Sequence, residues 1–295
     1  MFSSFYARLA QLVEQPVYTG KVGGSSPSSR TVKVTILYED NDLVVVDKPS
    51  GISVHNDGKN KDETLADWFI KQYPESKDVG EPLMVDAKGG ERRAIMRPGI
   101  VHRLDRETSG VIILAKNQES FLFLKDQFKN HTIEKVYRAF VYGYVADPNA
   151  SLLNGKMGVI NAPIGRSPGD VRMWTAGRGA RDPIREAKTG YVVLSRFTDT
   201  QDEVEIKDNS HQFSYLELYP KTGRTHQLRV HLRYINHPII SDPIYRGKKE
   251  KSLGFDRLAL HAKSIKFILL SGQEIEVEAP LPTDFVKVIN NHQLK

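Results

Sequence analysis

One carboxylate stands between two guanidiniums in His102-Arg103-Leu104-Asp105-Arg106-Glu107-Thr108-Ser109-Gly110, a run that closes on Thr-Ser-Gly ahead of apolar residues. Opposite charges within a few ångströms favour the ionised form, so Arg103 and Arg106 are expected to push the Asp105 pKa down. An acid kept ionised in this way suits nucleophilic attack and argues against general-acid work. The same residues also read as a surface turn with salt bridges ahead of a strand. Other machineries are missing from the sequence. There is no Gly-x-x-x-x-Gly-Lys-Ser/Thr loop, no Gly-x-Gly-x-x-Gly after a strand, no His-Glu-x-x-His and no nucleophile elbow. His226 and His231 lie five apart and diverge around a helix, so no zinc site is expected. What remains is Asp105 in an arginine-rich setting, with no cofactor and no metal expected.

The elements that must hold this acid are mostly strands. Val32–Tyr38 alternates, Asn41-Asp42 makes a turn, and Leu43–Asp47 is a short apolar run stopped by Lys48-Pro49-Ser50-Gly51, a hairpin pattern. Thr64–Tyr73 carries Leu65, Trp68, Phe69 and Gln72 at helical spacing, with Asp62-Glu63 as the expected cap and Pro74 as the stop. Residues 76–98 read as an exposed loop. Val111–Ala115 reads as a buried strand, after which Asn117 caps a helix with Phe121, Leu124 and Phe128 on one face. Lys135–Tyr144 alternates as a long strand. Gly155–Arg185, rich in Gly, Pro and Arg, reads as a long loop or irregular hairpin; its Trp174 is either a stacking platform for a base or an aromatic plug.

Further strands are expected at Thr189–Arg196, Phe213–Tyr219, Ser264–Leu269 and Glu274–Glu278. A helix over Thr225–Ile235 offers an apolar side (Leu228, Leu232, Ile235) and a basic side (His226, Arg229, Arg233). Strands outnumber helices and short turns join most of them. The expected class is therefore α+β, a mixed, mainly antiparallel β-sheet flanked by helices and loops. Residues 31–295 show no repeat and no Ser/Pro/Gly-rich linker and are expected to be one catalytic domain, with two lobes at most. Residues 1–30 are expected to be a flexible tail. Their Ala-Gln-Leu-Val-Glu-Gln and Val-Gly-Gly-Ser-Ser-Pro pieces look like the translation of a transfer-RNA gene, so a wrongly assigned gene start is an open expectation.

Charge points to the partner. The 295 residues carry a net charge of +6, with an isoelectric point near 9.2. Arg92, Arg93, Arg97, Arg103 and Arg106 crowd one region, and Arg224, Arg229, Arg233, His226 and His231 another. Together they can form one surface, and the planar fork of arginine suits phosphate and base edges. RNA is the expected partner, with no membrane and no nucleotide cofactor, and the chain is expected to be a monomer. No apolar run approaches the roughly 18 residues of a membrane span. There is no cysteine, and residues 1–30 lack the pattern of a secretory signal, so the cytoplasm is expected.

With these features in place, the His102–Gly110 run resembles the signature of the RluA family of pseudouridine synthases, which convert uridine in structured RNA to its carbon-linked isomer. Three further stretches match in the same order. Val44-Val-Val-Asp-Lys-Pro-Ser-Gly51 with His55 resembles the family's opening strand and loop. Lys135-Val-Tyr-Arg-Ala-Phe-Val-Tyr-Gly143 resembles its tyrosine strand. Pro220-Lys-Thr-Gly-Arg-Thr-His-Gln-Leu-Arg-Val-His-Leu232 with His237-Pro-Ile-Ile-Ser-Asp242 resembles its arginine helix, and Arg257-Leu-Ala-Leu-His-Ala262 closes the pattern.

The resemblance implies Asp105 as nucleophile, Arg229 as its ion-pair partner, Tyr137 stacked on the target uracil and Leu228 as apolar wall. Arg103, His102, Arg224, His226, Arg233 and Lys48 are the expected RNA contacts; Arg103 and His102 sit beside Asp105 and are placed to fill the space the flipped base leaves, a role the resemblance implies for Arg103. Ribosomal large-subunit RNA is the expected substrate and transfer RNA the alternative. Many members carry a small RNA-binding domain in front, which residues 1–30 are expected to be too few to form, and Ser241-Asp242 stands where Gly-Asp is common. Two other classes stay open: a non-catalytic RNA-binding or ribosome-assembly module, and a hydrolase using Asp105 with a histidine.

Overall fold

Apolar and alternating runs become strands because each buries a face against helices or a neighbouring lobe. In the computed structural model the described residues are 33–56, 62–86, 92–146, 157–199, 211–250 and 252–294; the expected tail and gene-start question lie outside them. The strands in chain order are β1 (Thr35–Glu39), β2 (Leu43–Lys48), β3 (Leu83–Asp86), β4 (Arg92–Ile95), β5 (Ser109–Ala115), β6 (Glu134–Tyr142), β7 (Gly158–Asn161), β8 (Ile164–Arg166), β9 (Trp174–Ala176), β10 (Arg181–Arg185), β11 (Lys188–Thr198), β12 (Gln212–Pro220), β13 (Leu260–Ile268) and β14 (Glu274–Glu278). The helices are α1 (Leu65–Gln72), α2 (Gln118–Lys129), α3 (Gln227–Tyr234) and α4 (Thr283–Asn291).

Among the described residues a nine-stranded sheet runs β1-β2-β5-β13-β6-β12-β11-β7, with β14 also on β13. Every pairing in it is antiparallel except β5 with β13. This is the mixed, mainly antiparallel α+β class read from the sequence. Two apolar cores share the sheet. One gathers β2, β5, α1 and α2; the other gathers β6, β11, β12, α3 and α4, and Tyr137 packs against both.

The pairing of β5 with β13 explains the Ser109-Gly110 that ends the acid-bearing run. Gly110 has φ of +115°, and a Cβ there would stand 2.1 Å from the Ala262 carbonyl oxygen. Only glycine admits that approach. Ser109 is buried beside it, its Oγ 3.0 Å from His261 Nδ1 and accepting from Arg257 at 3.1 Å.

Several local expectations are corrected. Helix α1 is capped by Thr64, not by Asp62-Glu63: the Thr64 hydroxyl accepts from the Asp67 amide while the Asp67 carboxylate takes the Thr64 amide. The loop expected over 76–98 contains a 3₁₀ turn at Pro74–Asp78 and the β3–β4 hairpin. The loop expected over 155–185 contains β7, which extends the main sheet, and a small separate sheet ordered β10-β8-β9. Helix α3 begins after His226, so His226 is its cap; His226, Arg229 and Arg233 do share one side, all against the Tyr245 ring, with Arg229 buried and Arg233 exposed.

Candidate active site

Asp105 sits in a tight turn, Thr108 N–H donating to its carbonyl at 3.1 Å, between buried Leu104 and buried Thr108. The β2 end clamps that turn. Gly51 N–H donates to Arg106 O at 2.8 Å, Arg106 Nε returns a bond to Gly51 O at 2.9 Å, and Ser50 Oγ donates to Glu107 O at 2.6 Å. Lys48 Nζ donates to the carbonyls of Pro49 and Ile52, each at 2.9 Å, and of Arg106 at 3.2 Å. The expected RNA contact at Lys48 is therefore overturned. Its side chain is fully buried and its three donors are spent on three carbonyls, so it cannot meet a polymer. Burial pulls its pKa down to about 7, with Asp105 and Glu107 opposing.

Neither sequence neighbour of Asp105 holds its carboxylate. Arg106 points to Gly51 and to Asp62 at 3.5 Å, and Arg103 is exposed at the cleft rim, without an ion pair or hydrogen bond among the described residues. The partner comes from α3, 124 positions away: Arg229 NH1 donates to Asp105 Oδ2 at 3.0 Å. Arg229 is 1% exposed. Its other two nitrogens grip Asp242 in a fork, Nε to Oδ2 and NH2 to Oδ1, both at 2.8 Å. Asp242 is itself fixed by the amides of Ile244 and Tyr245, at 2.8 and 2.9 Å. The planar guanidinium thus has its direction set from behind before it meets Asp105. Asp105 Oδ1 takes no hydrogen bond among the described residues and is left for the cleft.

That cleft, about 600 Å³, is walled by the Asp105 turn, the end of α2, β6 and the start of α3. Leu228 and Leu260 give it an apolar wall and Tyr137 lines it from the seam of the two cores. Burial pushes the Tyr137 phenol up, and the Asp105 charge adds to the rise, so it stays protonated at neutral pH. Arg103, Lys129, Lys135, Arg224 and Arg229 also line the cleft, and Asp105 is its one acidic residue among the described residues. Of the two arginine-rich regions of the sequence, Arg103 from the first and Arg224, His226 and Arg229 from the second line this cleft, while Arg106, Arg233 and His231 do not.

The remaining expected contacts divide. Arg224 lines the cleft, its Nε donating to Glu186 O at 2.9 Å, and Gln227 anchors its loop by accepting from Arg224 N–H at 3.0 Å and donating to Lys188 O at 3.0 Å. Arg233 lies outside the cleft lining, its guanidinium 5.9 Å from the Tyr245 ring. His102 is turned into the protein: its ring stacks on Phe128 at 4.5 Å and Nε2 accepts from Ile113 N–H at 3.0 Å. Burial takes its pKa down to about 3, which keeps the imidazole neutral for that bond. His102 therefore shapes the cleft wall and offers no charge to RNA. Trp174 packs on the second core with the Arg166 guanidinium 4.3 Å above its ring, which favours the plug over an open platform.

His226 has φ of +55°, a left-handed conformation that costs a histidine about 1–3 kcal/mol. It places Nε2 4.0 Å from Asp105 Oδ2 and Nδ1 2.9 Å from the Tyr245 hydroxyl. Asp242, Tyr245 and Lys135 are among the site residues to which sequence reasoning assigns no role. The only available signal was their position within or just after the matched stretches.

A family model described as RNA pseudouridylate synthase matches residues 42–234. The chain belongs to this family. It is 34% identical to the uncharacterized RNA pseudouridine synthase YlyB of Bacillus subtilis (strain 168), over 87% of this chain and 72% of that protein. It is 33% identical to the ribosomal large subunit pseudouridine synthase D of Xanthomonas campestris pv. campestris, over 88% of this chain and 69% of that one. The solved human RNA pseudouridylate synthase domain containing 4 superposes with a TM-score of 0.61 at 26% identity, covering 88% of this chain and 94% of that chain. As an RNA pseudouridine synthase the chain is an isomerase. Among the described residues no helix is long and apolar enough to cross a membrane.

Proposed function

We propose that this pseudouridine synthase isomerises specific uridines in structured RNA, with large-subunit ribosomal RNA as substrate, through Asp105 and without a cofactor. The observation that carries the reading is the lone carboxylate of a cationic cleft, gripped on one oxygen by a buried arginine and open on the other. A binding module has no use for an acid facing an anionic polymer, and a hydrolase needs an acid/base partner. The nearest histidine, His226, has both ring nitrogens turned to protein groups, Nδ1 to the Tyr245 hydroxyl at 2.9 Å and Nε2 to Asp105 at 4.0 Å.

The reaction breaks the bond from uracil N1 to the ribose, turns the base, and forms a bond from C5. The C5 hydrogen leaves as a proton and N1 gains one. Asp105, paired with Arg229, supplies the electron pair that assists cleavage, either at the anomeric carbon or by taking a sugar proton. Leu228 and Tyr137 hold the freed uracil between an aliphatic wall and a flat ring, and the protonated Tyr137 hydroxyl enters the proton step as a donor. Reaching the site requires a flipped base, at a cost of a few kcal/mol. Arg103 is free to fill the vacated space, while Arg224, Arg233, Lys129 and Lys135 neutralise phosphates, making binding salt-sensitive.

Relatives bearing the name ribosomal large subunit pseudouridine synthase D support the ribosomal substrate. Mapping pseudouridines in RNA from cells with and without the gene tests it. Loss of a site in large-subunit RNA is expected, and loss confined to transfer RNA overturns the substrate assignment. Restoring the gene as Asp105→Asn is expected to leave the site unmodified.

A further inference from the structure

The Tyr245 hydroxyl joins three elements that the mechanism above leaves separate. Trp174 N–H, at the start of β9, donates to it at 3.0 Å, and His226 Nδ1 lies 2.9 Å away on another side. A backbone amide is only a donor, so the Tyr245 oxygen accepts from Trp174, which leaves its single proton free for His226 Nδ1, its other partner among the described residues. A neutral imidazole whose Nδ1 accepts carries its proton on Nε2. That nitrogen is the one facing Asp105 Oδ2, at 4.0 Å. Burial, with Arg229 and Arg103 nearby, lowers the His226 pKa against the opposing pull of Asp105 and Asp242, which keeps the ring in this neutral form.

The ring is also held in place. Tyr245 meets it edge-on at 5.6 Å, and the backbone at His226 is kept left-handed. Tyr245 is 1% exposed, and its ring lies 5.1 Å beneath the Arg229 guanidinium, so one tyrosine fixes both groups that face the acid.

We propose that Tyr245 locks His226 as the Nε2–H tautomer and that His226 is a positioning residue for Asp105. Its N–H and Arg229 together hold Oδ2, so that Oδ1 faces the base. The 4.0 Å separation is longer than a hydrogen bond and closes when substrate binds, the Asp105 carboxylate moving toward the fixed ring. The chain of bonds also ties the small β10-β8-β9 sheet, through the Trp174 amide, to the orientation of the carboxylate. The proposal rests on the reading of Asp105 as nucleophile.

Substitutions at His226 can keep one nitrogen position at a time. Gln places an amide N–H where Nε2 stands and gives up the bond to Tyr245; Asn keeps a polar atom where Nδ1 stands and gives up the donor to Asp105. With RNA extracted from cells lacking the gene as substrate, His226→Asn is expected to lower kcat about 10- to 100-fold, the value of a hydrogen bond to a charged group. KM should be little changed, and His226→Gln should recover most of the loss. Nitrogen NMR of the imidazole in the wild-type chain is expected to show Nε2–H, with the Nδ1–H form appearing in Tyr245→Phe.

Equal activity of the Asn and Gln variants, high or low, overturns the donor role. So does an effect confined to KM, or an Nδ1–H tautomer in the wild type. An active Asp105→Asn would instead overturn the nucleophile reading, while the imidazole spectrum would still report on the Tyr245 lock.

Discussion

Asp242→Asn isolates the support behind the site, because Asp242 touches no substrate and yet sets Arg229. Arg229 and Asp242 are 1% and 0% exposed, so neither can exchange its partner for water. Asp242 accepts two bonds from the guanidinium and two from backbone amides. An amide there removes the counter-charge and faces one donor of Arg229 with an NH₂ group, leaving Asp105 as the remaining partner of the cation. Removing one member of a buried ion pair costs about 3–5 kcal/mol. A domain of ordinary stability holds about 5–15 kcal/mol, so the loss is a large share of the total.

Urea unfolding followed by tryptophan fluorescence should show the midpoint falling by more than about 1 M, given a slope of about 1–3 kcal/mol per M. On the folded protein, a guanidinium displaced by about 1 Å is expected to slow isomerisation about 100-fold. An Asp242→Asn chain with a wild-type midpoint and a rate within about twofold would refute the idea that the fork is set from behind.

Three further outcomes follow from the geometry. Lys48 titrates at about 7 when folded against an ordinary 10.5, so between those pH values the unfolded chain binds the extra proton and this group makes stability rise with pH. The wild-type minus Lys48→Met difference in unfolding free energy should therefore climb between pH 7 and 10.5, by on the order of 4 kcal/mol, and a difference flat in pH contradicts the burial argument. Gly110→Ala drives a Cβ into the Ala262 carbonyl and is expected to lower the melting temperature by several degrees, about 2–4 °C for each kcal/mol lost; an unchanged melting temperature means β5 and β13 can part cheaply. Arg103→Ala should leave stability within about 0.5 kcal/mol while slowing turnover of RNA, and a destabilised chain with normal turnover would make Arg103 a structural residue.

How far the site could be read in advance depended on whether a residue's role lay along the chain or across it. Asp105 stood out because of its flanking arginines, yet those arginines turned out to be a rim charge and a loop clamp, and the group that grips it comes from α3. Lys48 looked like a basic contact because sequence does not show three carbonyls converging on one ammonium. His102 looked similar, until Phe128 and the Ile113 amide claimed its ring. Asp242 stands out in the sequence only as the neighbour of Ser241; its partner Arg229 lies 13 positions back and meets it only after α3 turns. The long strands β5, β6, β11 and β12 were legible from their alternation or apolar runs. Strands β3, β4, β8 and β9, three or four residues each, are too short for a period to emerge.

The chemistry of the cleft depends on Asp105 acting as a charged nucleophile. Forming a bond from C5 must expel the C5 hydrogen, so RNA carrying tritium at uridine C5 releases it to water in step with isomerisation. Purified Asp105→Asn, which keeps the shape of the side chain and removes its charge, is predicted to release no tritium while binding the same RNA at least as tightly as the wild type. Release at a wild-type rate from a folded, RNA-bound Asp105→Asn chain would contradict it.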